Sequence, residues 1–223
     1  MTPHPVVLVH GLATSARRTW IDNGWVDLLS DAGRTVVAPD LLGHGEAPAP
    51  LDPEAYDGLE DHLAAQLPDG PVDAVGFSLG ARCLLVLAGR QPARFGRLVL
   101  GGVGANLFRH DDASPLASAF EGGGEPPPWA GYFLRQAEAS GNDPAALAAL
   151  LRRPHPPRLD DDALARITGP VLVAVGSEDP VGPADPLVER LGHATAVALP
   201  GVDHAATPKS FAFIDAALDF LAG

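Results

Sequence analysis

Short apolar runs alternate with amphipathic stretches along most of the chain. The runs rich in Val, Leu and Ala predict six strands, at residues 5–9, 35–39, 72–76, 97–100, 170–175 and 196–199. Each run is nearly continuous in apolar residues, which is typical of strands buried on both faces of a parallel sheet. Helical stretches fall at about residues 25–32, 54–66, 79–90, 187–191 and 208–221. The alternation predicts an α/β fold with a mostly parallel sheet of about six strands and helices on both faces.

The alternation stops between residues 103 and 168, where no run has the pattern of a strand. This segment contains a Gly- and Pro-rich stretch at 121–128 and helical patterns at 129–139 and 144–153. Long insertions between strands are typical of lids over functional sites, and a surface excursion with little order is the alternative. We therefore predict a core formed by residues 1–102 and 169–223, with residues 103–168 as a short helical cap.

Composition narrows the classes of partner. The 223 residues suit one compact domain, and the formal net charge of −13 disfavours nucleic acids and anionic membranes as partners. Cys83 is the single cysteine, so an intrachain disulfide and a cysteine metal cluster are both excluded. No apolar run approaches the roughly 20 residues that a spanning helix needs, and the run behind the N-terminus is too short for a signal peptide. We expect a cytoplasmic protein.

The strongest chemical signal is Gly-Phe-Ser-Leu-Gly at residues 76–80, directly after a predicted strand and before a predicted helix. A serine on such a sharp turn has little room around it, and glycines two positions away on either side relieve the crowding. The turn raises the hydroxyl above the sheet, and the N-terminus of the following helix favours negative charge beside it. Ser78 is the predicted nucleophile.

A serine hydroxyl needs a base and an orienting acid to become a good nucleophile. Asp179 follows the strand predicted at 170–175, and His204 follows the last predicted strand. Both therefore belong to the sheet edge where Ser78 emerges, and the order serine, acid, histidine suits a strand-turn-helix nucleophile. We predict His204 as the base and Asp179 as the acid, with Glu178 and Asp203 as weaker rivals for the acid.

Other titratable residues have alternative interpretations. The rival histidines are His10, His44, His62, His110, His155 and His193. His10 and His44 lie on loops that follow predicted strands, where shaping the loop is the favoured role. Cys83 is more typical of a small buried side chain than of a nucleophile. Arg82 suits a salt bridge within the fold better than contact with an anionic substrate.

The reaction also needs donors for an oxyanion and a pocket for the acyl group. The amides of Leu79, next after the nucleophile, and of Leu12, in the loop after the first strand, are the predicted oxyanion hole. The predicted pocket residues are Phe77, Val103, Trp129, Phe133, Leu134 and Val181. No metal and no organic cofactor is expected.

Five short motifs resemble those of the α/β-hydrolase superfamily, in particular its small bacterial esterase-like members. They are His-Gly at 10–11, Pro-Asp-Leu-Leu-Gly-His-Gly at 39–45, the serine motif at 76–80, Gly-Ser-Glu-Asp at 176–179 and Asp-His at 203–204. These motifs occur in the same order as in the family and span nearly the whole chain. The resemblance implies that residues 103–168 form a cap that roofs the pocket. The family's usual N-terminal antiparallel hairpin has no room before residue 10, so we predict an all-parallel sheet.

The resemblance implies a serine hydrolase for small, apolar carboxylic esters. One alternative is a cofactor-free lyase or carbon–carbon hydrolase, favoured if Arg109 or Arg135 clamps a substrate carboxylate. Another is a ligand-binding protein without turnover, favoured if Asp179 or His204 does not meet Ser78. The expected partner is a small ester-like molecule, and the sequence leaves monomer and dimer open.

Overall fold

The computed structural model describes residues 3–109, 112–123 and 125–223. In these residues six strands form one sheet in the order β2-β1-β3-β4-β5-β6, and every neighbouring pair is parallel. The strands are β1 Val6–Val9, β2 Val36–Val37, β3 Val72–Phe77, β4 Phe95–Gly101, β5 Val171–Gly176 and β6 Ala194–Leu199. The predicted all-parallel sheet of six strands is confirmed.

Helices cover both faces of the sheet. Their bounds are α1 Trp25–Asp31, α2 Leu59–Ala64, α3 Leu79–Arg90, α4 Ser114–Phe120, α5 Ala130–Ser140, α6 Pro144–Leu151, α7 Asp161–Ala165, α8 Asp185–Leu191 and α9 Phe211–Ala222. The helix predicted at 54–66 is instead a 3₁₀ segment, Pro53–Gly58, followed by α2. The Asp52 side chain accepts a hydrogen bond from the Glu54 amide at its start, and Gly58, a poor helix former, stands at the junction.

Side chains of each central strand point alternately into two separate cores. On β1, Val7 and Val9 pack with α2, α3 and α8, whereas Val6 and Leu8 pack with α1 and α9. The second core contains Trp25, whose indole N–H donates to the Pro208 carbonyl at 2.7 Å. Because both faces are covered, these strands need apolar residues at consecutive positions, which is the pattern in the sequence.

The edge strands differ from the predicted pattern. β2 has only two residues, both half-buried, and its single described neighbour is β1. β6 begins at Ala194, two residues earlier than predicted, and Thr195, Ala196 and Ala198 on it are exposed. An edge strand has one sheet neighbour, so it is shorter or more exposed than a central strand.

The segment between β4 and β5 is helical, and its helices belong to two different layers. α4, α5 and α6 pack together around a small core that includes Leu116, Phe120 and Leu147. α7 packs against α3 and α8 and so belongs to the layer beside the sheet. The Asn142 side chain, before α6, accepts from the Gly45 amide at 2.8 Å and donates to the Thr14 carbonyl at 3.0 Å. These bonds attach the group formed by α4, α5 and α6 to loops at the carboxyl edge of the sheet.

A buried ion pair gives a second attachment. Arg153, just after α6, lies 3.2 Å from a Glu60 carboxylate oxygen on α2, and both side chains are at most 7% exposed. Removing one partner of such a pair leaves a buried charge uncompensated, which is strongly destabilising. No helix of the described residues is long and apolar enough to cross a membrane.

Candidate active site

Ser78 lies at the junction of β3 and α3 in a backbone conformation that few side chains adopt. Its φ of 53° and ψ of −113° fall outside the favoured regions, as strained functional residues often do. The glycines of the motif are required by packing. A Cβ on Gly80 would lie 2.2 Å from the Val9 carbonyl oxygen, and one on Gly76 would lie 2.7 Å from the Ala81 nitrogen.

The structure brings Ser78, His204 and Asp179 into one hydrogen-bonded row. The Ser78 hydroxyl lies 3.1 Å from His204 Nε2, and His204 Nδ1 lies 2.8 Å from Asp179 Oδ2. The Asp179 carboxylate thus accepts the Nδ1 proton, which leaves Nε2 as the acceptor for the serine proton. The imidazole is 15% exposed and the Asp179 side chain is fully buried, so neither group lies in bulk water.

A second hydrogen bond holds Asp179, and the rival acids Glu178 and Asp203 have other surroundings. The Val181 amide donates to Asp179 Oδ1 at 3.1 Å, so both carboxylate oxygens have a partner. Glu178 is exposed. Asp203 accepts the Ala206 amide at 2.7 Å at the start of the turn that follows it. Of the three acids, Asp179 is the one bonded to the His204 ring among the described residues.

Leu79 directly follows the nucleophile, and Leu12 follows Gly11 in the loop that contacts it. Leu79 opens α3, so its amide has no carbonyl one turn earlier in the helix. A Cβ on Gly11 would lie 3.3 Å from Ser78 Cβ, which places the loop of Leu12 directly against the serine. Among the described residues neither amide has a hydrogen-bond acceptor. Neither donor is therefore committed to another group of the described residues.

His44 and Asp40 hold the loop after β1. The Ala13 amide donates to His44 Nε2 at 3.0 Å, and Ala13 itself has a φ of 63°. Burial, with a smaller contribution from the nearby His10 ring, lowers the pKa of His44 to about 3, so the ring is a neutral acceptor. Burial would raise the pKa of Asp40, but the His10 ring and the Ala16 and Glu46 amides outweigh it and lower it to about 2.

The side chains of the remaining rival residues form no hydrogen bond with the side chains of Ser78 or His204 among the described residues. His10 is buried, with Nδ1 2.8 Å from the Gly11 oxygen and Nε2 accepting from the Leu41 amide at 3.1 Å. His155 contacts Asp57 at the surface, and His110 lies outside the described residues. Arg82 donates to the Pro157 carbonyl, and in the part of the chain that the structure describes it does not form the expected salt bridge. Burial raises the pKa of the Cys83 thiol well above its usual range, which makes it a poor nucleophile.

A cavity of about 970 Å³ opens beside Ser78 and His204. Of the predicted pocket residues, Trp129, Phe133 and Val181 line it. Phe77 points instead into the core with α1 and α9, because successive side chains of β3 alternate between faces. Val103 is buried in the core on the other face, and Leu134 packs in the small core of α4–α6. These three residues do not line the cavity.

Other lining residues lie outside the predicted pocket set, although two of them, Arg109 and Arg135, were considered as a clamp for a substrate carboxylate. Tyr132 on α5 has its ring centroid 6.3 Å from that of His204. Burial, reinforced by the charges of Asp203 and Asp179, raises the pKa of Tyr132 to about 12. Asn106, Arg109 and Arg135 also line the cavity. The spacing of Trp129, Tyr132 and Phe133 puts them on one helix face, and this pattern could have identified Tyr132.

Metal ligands are not gathered at this site. Among residues 3–109, 112–123 and 125–223, no group of three or more His, Cys, Asp or Glu is placed to hold a metal ion. The available chemistry is that of the side chains and amides: a serine nucleophile, an oriented base, two amide donors and a partly apolar cavity. That set is suited to acyl transfer.

A family model described as "Alpha/beta hydrolase family" matches residues 6–221. A pimeloyl-[acyl-carrier protein] methyl ester esterase of Neisseria meningitidis serogroup C is 40% identical over 111 residues, which are 48% of this chain and 40% of that protein. Lipase LipV of Mycobacterium tuberculosis is 43% identical over 68 residues, which are 29% of this chain and 26% of that protein. The matched part therefore spans less than half of each curated relative.

Solved structures resemble the whole chain. MenH from S. aureus superposes with a TM-score of 0.79 at 20% identity, covering 100% of this chain and 94% of that one. The enol-lactonase from Burkholderia xenovorans has a TM-score of 0.72 at 19% identity, covering 100% and 93%. At these identities the likeness shows a shared fold, and it leaves the substrate open.

Proposed function

The chain belongs to the alpha/beta hydrolase family, and within it we propose a serine hydrolase that cleaves small carboxylic esters through an acyl-enzyme on Ser78. One observation carries the proposal: the continuous row from Ser78 Oγ to His204 Nε2 at 3.1 Å and from His204 Nδ1 to Asp179 at 2.8 Å. A serine paired with a base that is itself oriented by a carboxylate is the arrangement that activates a hydroxyl for attack.

In the first half of the proposed reaction Ser78 Oγ attacks the ester carbonyl carbon and gives its proton to His204 Nε2. The tetrahedral intermediate collapses when the same proton passes to the leaving alcohol, and the acyl group stays on Ser78. A water molecule then attacks the acyl-enzyme and loses a proton to His204. As the second tetrahedral intermediate collapses, His204 returns that proton to Ser78 Oγ, and the carboxylic acid and free Ser78 are released. Asp179 stabilises the imidazolium that forms in each half and holds the ring in the required tautomer.

We assign the oxyanion hole to the Leu12 and Leu79 amides. Both lie beside Ser78, and both lack an acceptor among the described residues. Fixed donors aimed at a developing oxyanion stabilise the transition state, and loss of one such donor in a hydrolase costs about 10²–10³ in kcat. The bonds from His44 to Ala13 and from Asp40 to the Ala16 amide then act indirectly, by holding the loop that carries Leu12.

We also propose that residues 103–168 act as the cap, with α4–α6 roofing the cavity and α7 supporting the sheet. Trp129 and Phe133 give the roof an apolar surface, which suits an acyl chain. The Neisseria relatives are named for methyl ester hydrolysis. That name favours a small leaving alcohol and makes methyl esters sensible probes for this chain.

A cofactor-free lyase or carbon–carbon hydrolase is the second candidate, because Arg109 and Arg135 line the cavity that contains Ser78. Such an enzyme would use His204 mainly as a base toward a carbon acid. The third possibility, ligand binding without turnover, would have been favoured by a broken row of catalytic groups. The distances of 3.1 and 2.8 Å argue against it.

The test is hydrolysis of p-nitrophenyl esters from acetate to long acyl chains by wild type and Ser78→Ala, with Ser30→Ala as a matched control. Ser30 is an exposed serine on α1, so its loss leaves the site intact. Turnover by wild type and Ser30→Ala but not by Ser78→Ala supports the proposal, and the best chain length measures the pocket. Absence of turnover by folded wild type contradicts it and directs attention to lyase substrates.

A further inference from the structure

We infer that the substrate carries a carboxylate at the end of its acyl part remote from the scissile ester, bound by Arg109 and Arg135. This inference rests on the proposed function and adds a substrate class to it. A half-ester of a dicarboxylic acid is the simplest molecule of this kind. The apolar side chains of the cavity contact its methylene groups, and the two guanidinium groups bind its free acid.

The two arginines belong to different elements that meet at the cavity. Arg109 follows the helical turn Ala105–Phe108, and its Nη2 lies 2.8 Å from where a Cβ on Gly182 would be, beside the loop of Asp179. Arg135 lies one turn after Tyr132 on α5, and its Nη1 is 3.2 Å from a Cβ position on Gly131. Arg135 therefore folds back along α5. Both line the same cavity as Ser78.

Ionic pairing distinguishes Arg109 and Arg135 from six of the other 12 arginines. Six arginines contact an acidic side chain within 4 Å, namely Arg17, Arg34, Arg90, Arg152, Arg153 and Arg190. Neither Arg109 nor Arg135 has such a partner in the described part of the chain, although the protein has 28 acidic residues and only 15 basic ones. Two arginines that have no acidic partner within the described residues thus line one cavity, which favours an external anion as their partner.

Asn106 supplies a third donor to the same cavity. Its Oδ1 accepts the Gly104 amide at 2.9 Å, which fixes the orientation of the side-chain amide. The NH₂ group has no acceptor among the described residues, and Asn106 lines the cavity. Two guanidinium groups and one amide NH₂ present donors only, and the two positive charges favour a carboxylate over a neutral ester or alcohol as the acceptor.

Two acidic residues line the cavity as well, and both are engaged by backbone. Asp112 accepts the Ser114 amide at 2.9 Å at the start of α4, and this bond lowers the pKa of its carboxyl group. Asp203 accepts the Ala206 amide at 2.7 Å. Both acids stay ionised, but among the described residues neither forms an ion pair with Arg109 or Arg135.

The experiment compares monomethyl adipate with dimethyl adipate, which differ only in the free carboxylate. We expect wild type to favour the monomethyl ester in kcat/KM by about ten-fold or more per ester bond at low ionic strength, since charge-assisted bonds are strong. In Arg109→Gln/Arg135→Gln that preference should fall about ten-fold. Arg158→Gln is the matched control, because Arg158 is exposed and does not line the cavity. It should retain the wild-type preference.

Binding to Ser78→Ala protein separates this inference from the proposed reaction. Calorimetry should give a Kd for monomethyl adipate about ten-fold lower than for the dimethyl ester, and Arg109→Gln/Arg135→Gln in the same background should remove the difference. Hydrolysis of both esters without preference, or a preference that survives the double substitution, overturns the inference while the serine hydrolase stands. If neither ester is hydrolysed but the arginine-dependent binding is found, the reaction class is wrong and the carboxylate site stands.

Discussion

The ring of Phe77 packs against the imidazole of His204, with centroids 4.8 Å apart and planes inclined by 37°. Phe77 immediately precedes Ser78, so one short stretch of β3 both presents the nucleophile and supports the base. The core that holds Phe77 is packed by α1 and α9. The position of His204 therefore depends on packing beneath the sheet edge as well as on its bond to Asp179.

The first prediction concerns the acid. Asp179→Asn should lower kcat for ester hydrolysis by about 10⁴, because an amide favours the wrong tautomer of His204 and cannot stabilise its charged form. Steady-state kinetics on p-nitrophenyl acetate gives the measurement, with Glu178→Gln as the control. Glu178 is adjacent and exposed, and its loss should change kcat less than about two-fold. A larger loss in Glu178→Gln than in Asp179→Asn would assign the acid to Glu178.

The second prediction concerns Tyr132, which covers one side of His204. Tyr132→Ala should lower kcat about ten-fold, because water would then reach the imidazole and weaken its interaction with Asp179. Tyr132→Phe keeps the ring and should retain most of the activity. Both variants are compared with wild type on the same ester. If Tyr132→Phe lowers kcat as much as Tyr132→Ala does, the reaction requires the hydroxyl group and not the ring.

The third prediction tests the packing at the serine turn. Gly80→Ala should lower the free energy of unfolding by about 3 kcal/mol or more, because its Cβ would overlap the Val9 carbonyl oxygen at 2.2 Å. Gly58→Ala is the control. Gly58 has a φ of −90° and nothing within 4 Å of a Cβ, so alanine there should be neutral or slightly stabilising. Urea unfolding measures both, and equal losses would contradict the account of the motif.

The fourth prediction concerns pH. The pKa of His44 is about 3 in the folded protein and 6.5 in the unfolded chain. At pH values between these two, the unfolded chain therefore binds one proton that the folded protein does not bind. The contribution of His44 to the free energy of unfolding is fully present above pH 6.5 and is lost as the pH falls toward 3. Between pH 6 and pH 4.5 the loss should be about 2 kcal/mol.

A variant without the titrating ring separates this effect from other groups. His44→Gln cannot bind a proton, so its free energy of unfolding should change with pH less steeply than that of wild type over the same window. Asp40, whose pKa is lowered to about 2 from 3.8, contributes only below that window. Equal slopes for wild type and His44→Gln in urea titrations would show that His44 is not held neutral.

The sequence was most informative at positions where local sequence and the topology of the sheet both restrict the residue. Central strands such as β3 and β5 are buried on both faces, so their apolar runs marked them within one or two residues. Ser78, Asp179 and His204 each follow a strand directly, and parallel strands bring their carboxyl ends to one edge. Local sequence and topology together thus predicted which residues would meet.

Features set by packing between distant segments were predicted less well. Phe77 was expected in the pocket because it neighbours Ser78, but alternation along β3 directs it into the core with Trp25. Asn106 lines the cavity only because the turn after β4 lies at the sheet edge, and no local pattern specifies that position. α7 was missed as a separate helix because it has only five residues.

The most direct test of the central claim is the mass of the protein after reaction with an alkyl fluorophosphonate, which phosphonylates an activated serine. We expect wild type to gain one adduct, located by peptide mapping at Ser78, and Ser78→Ala to gain none. His204→Gln should react far more slowly, because the serine then lacks its base. Absence of an adduct on folded wild type, or an adduct that persists in Ser78→Ala, would contradict the assignment of Ser78 as the nucleophile.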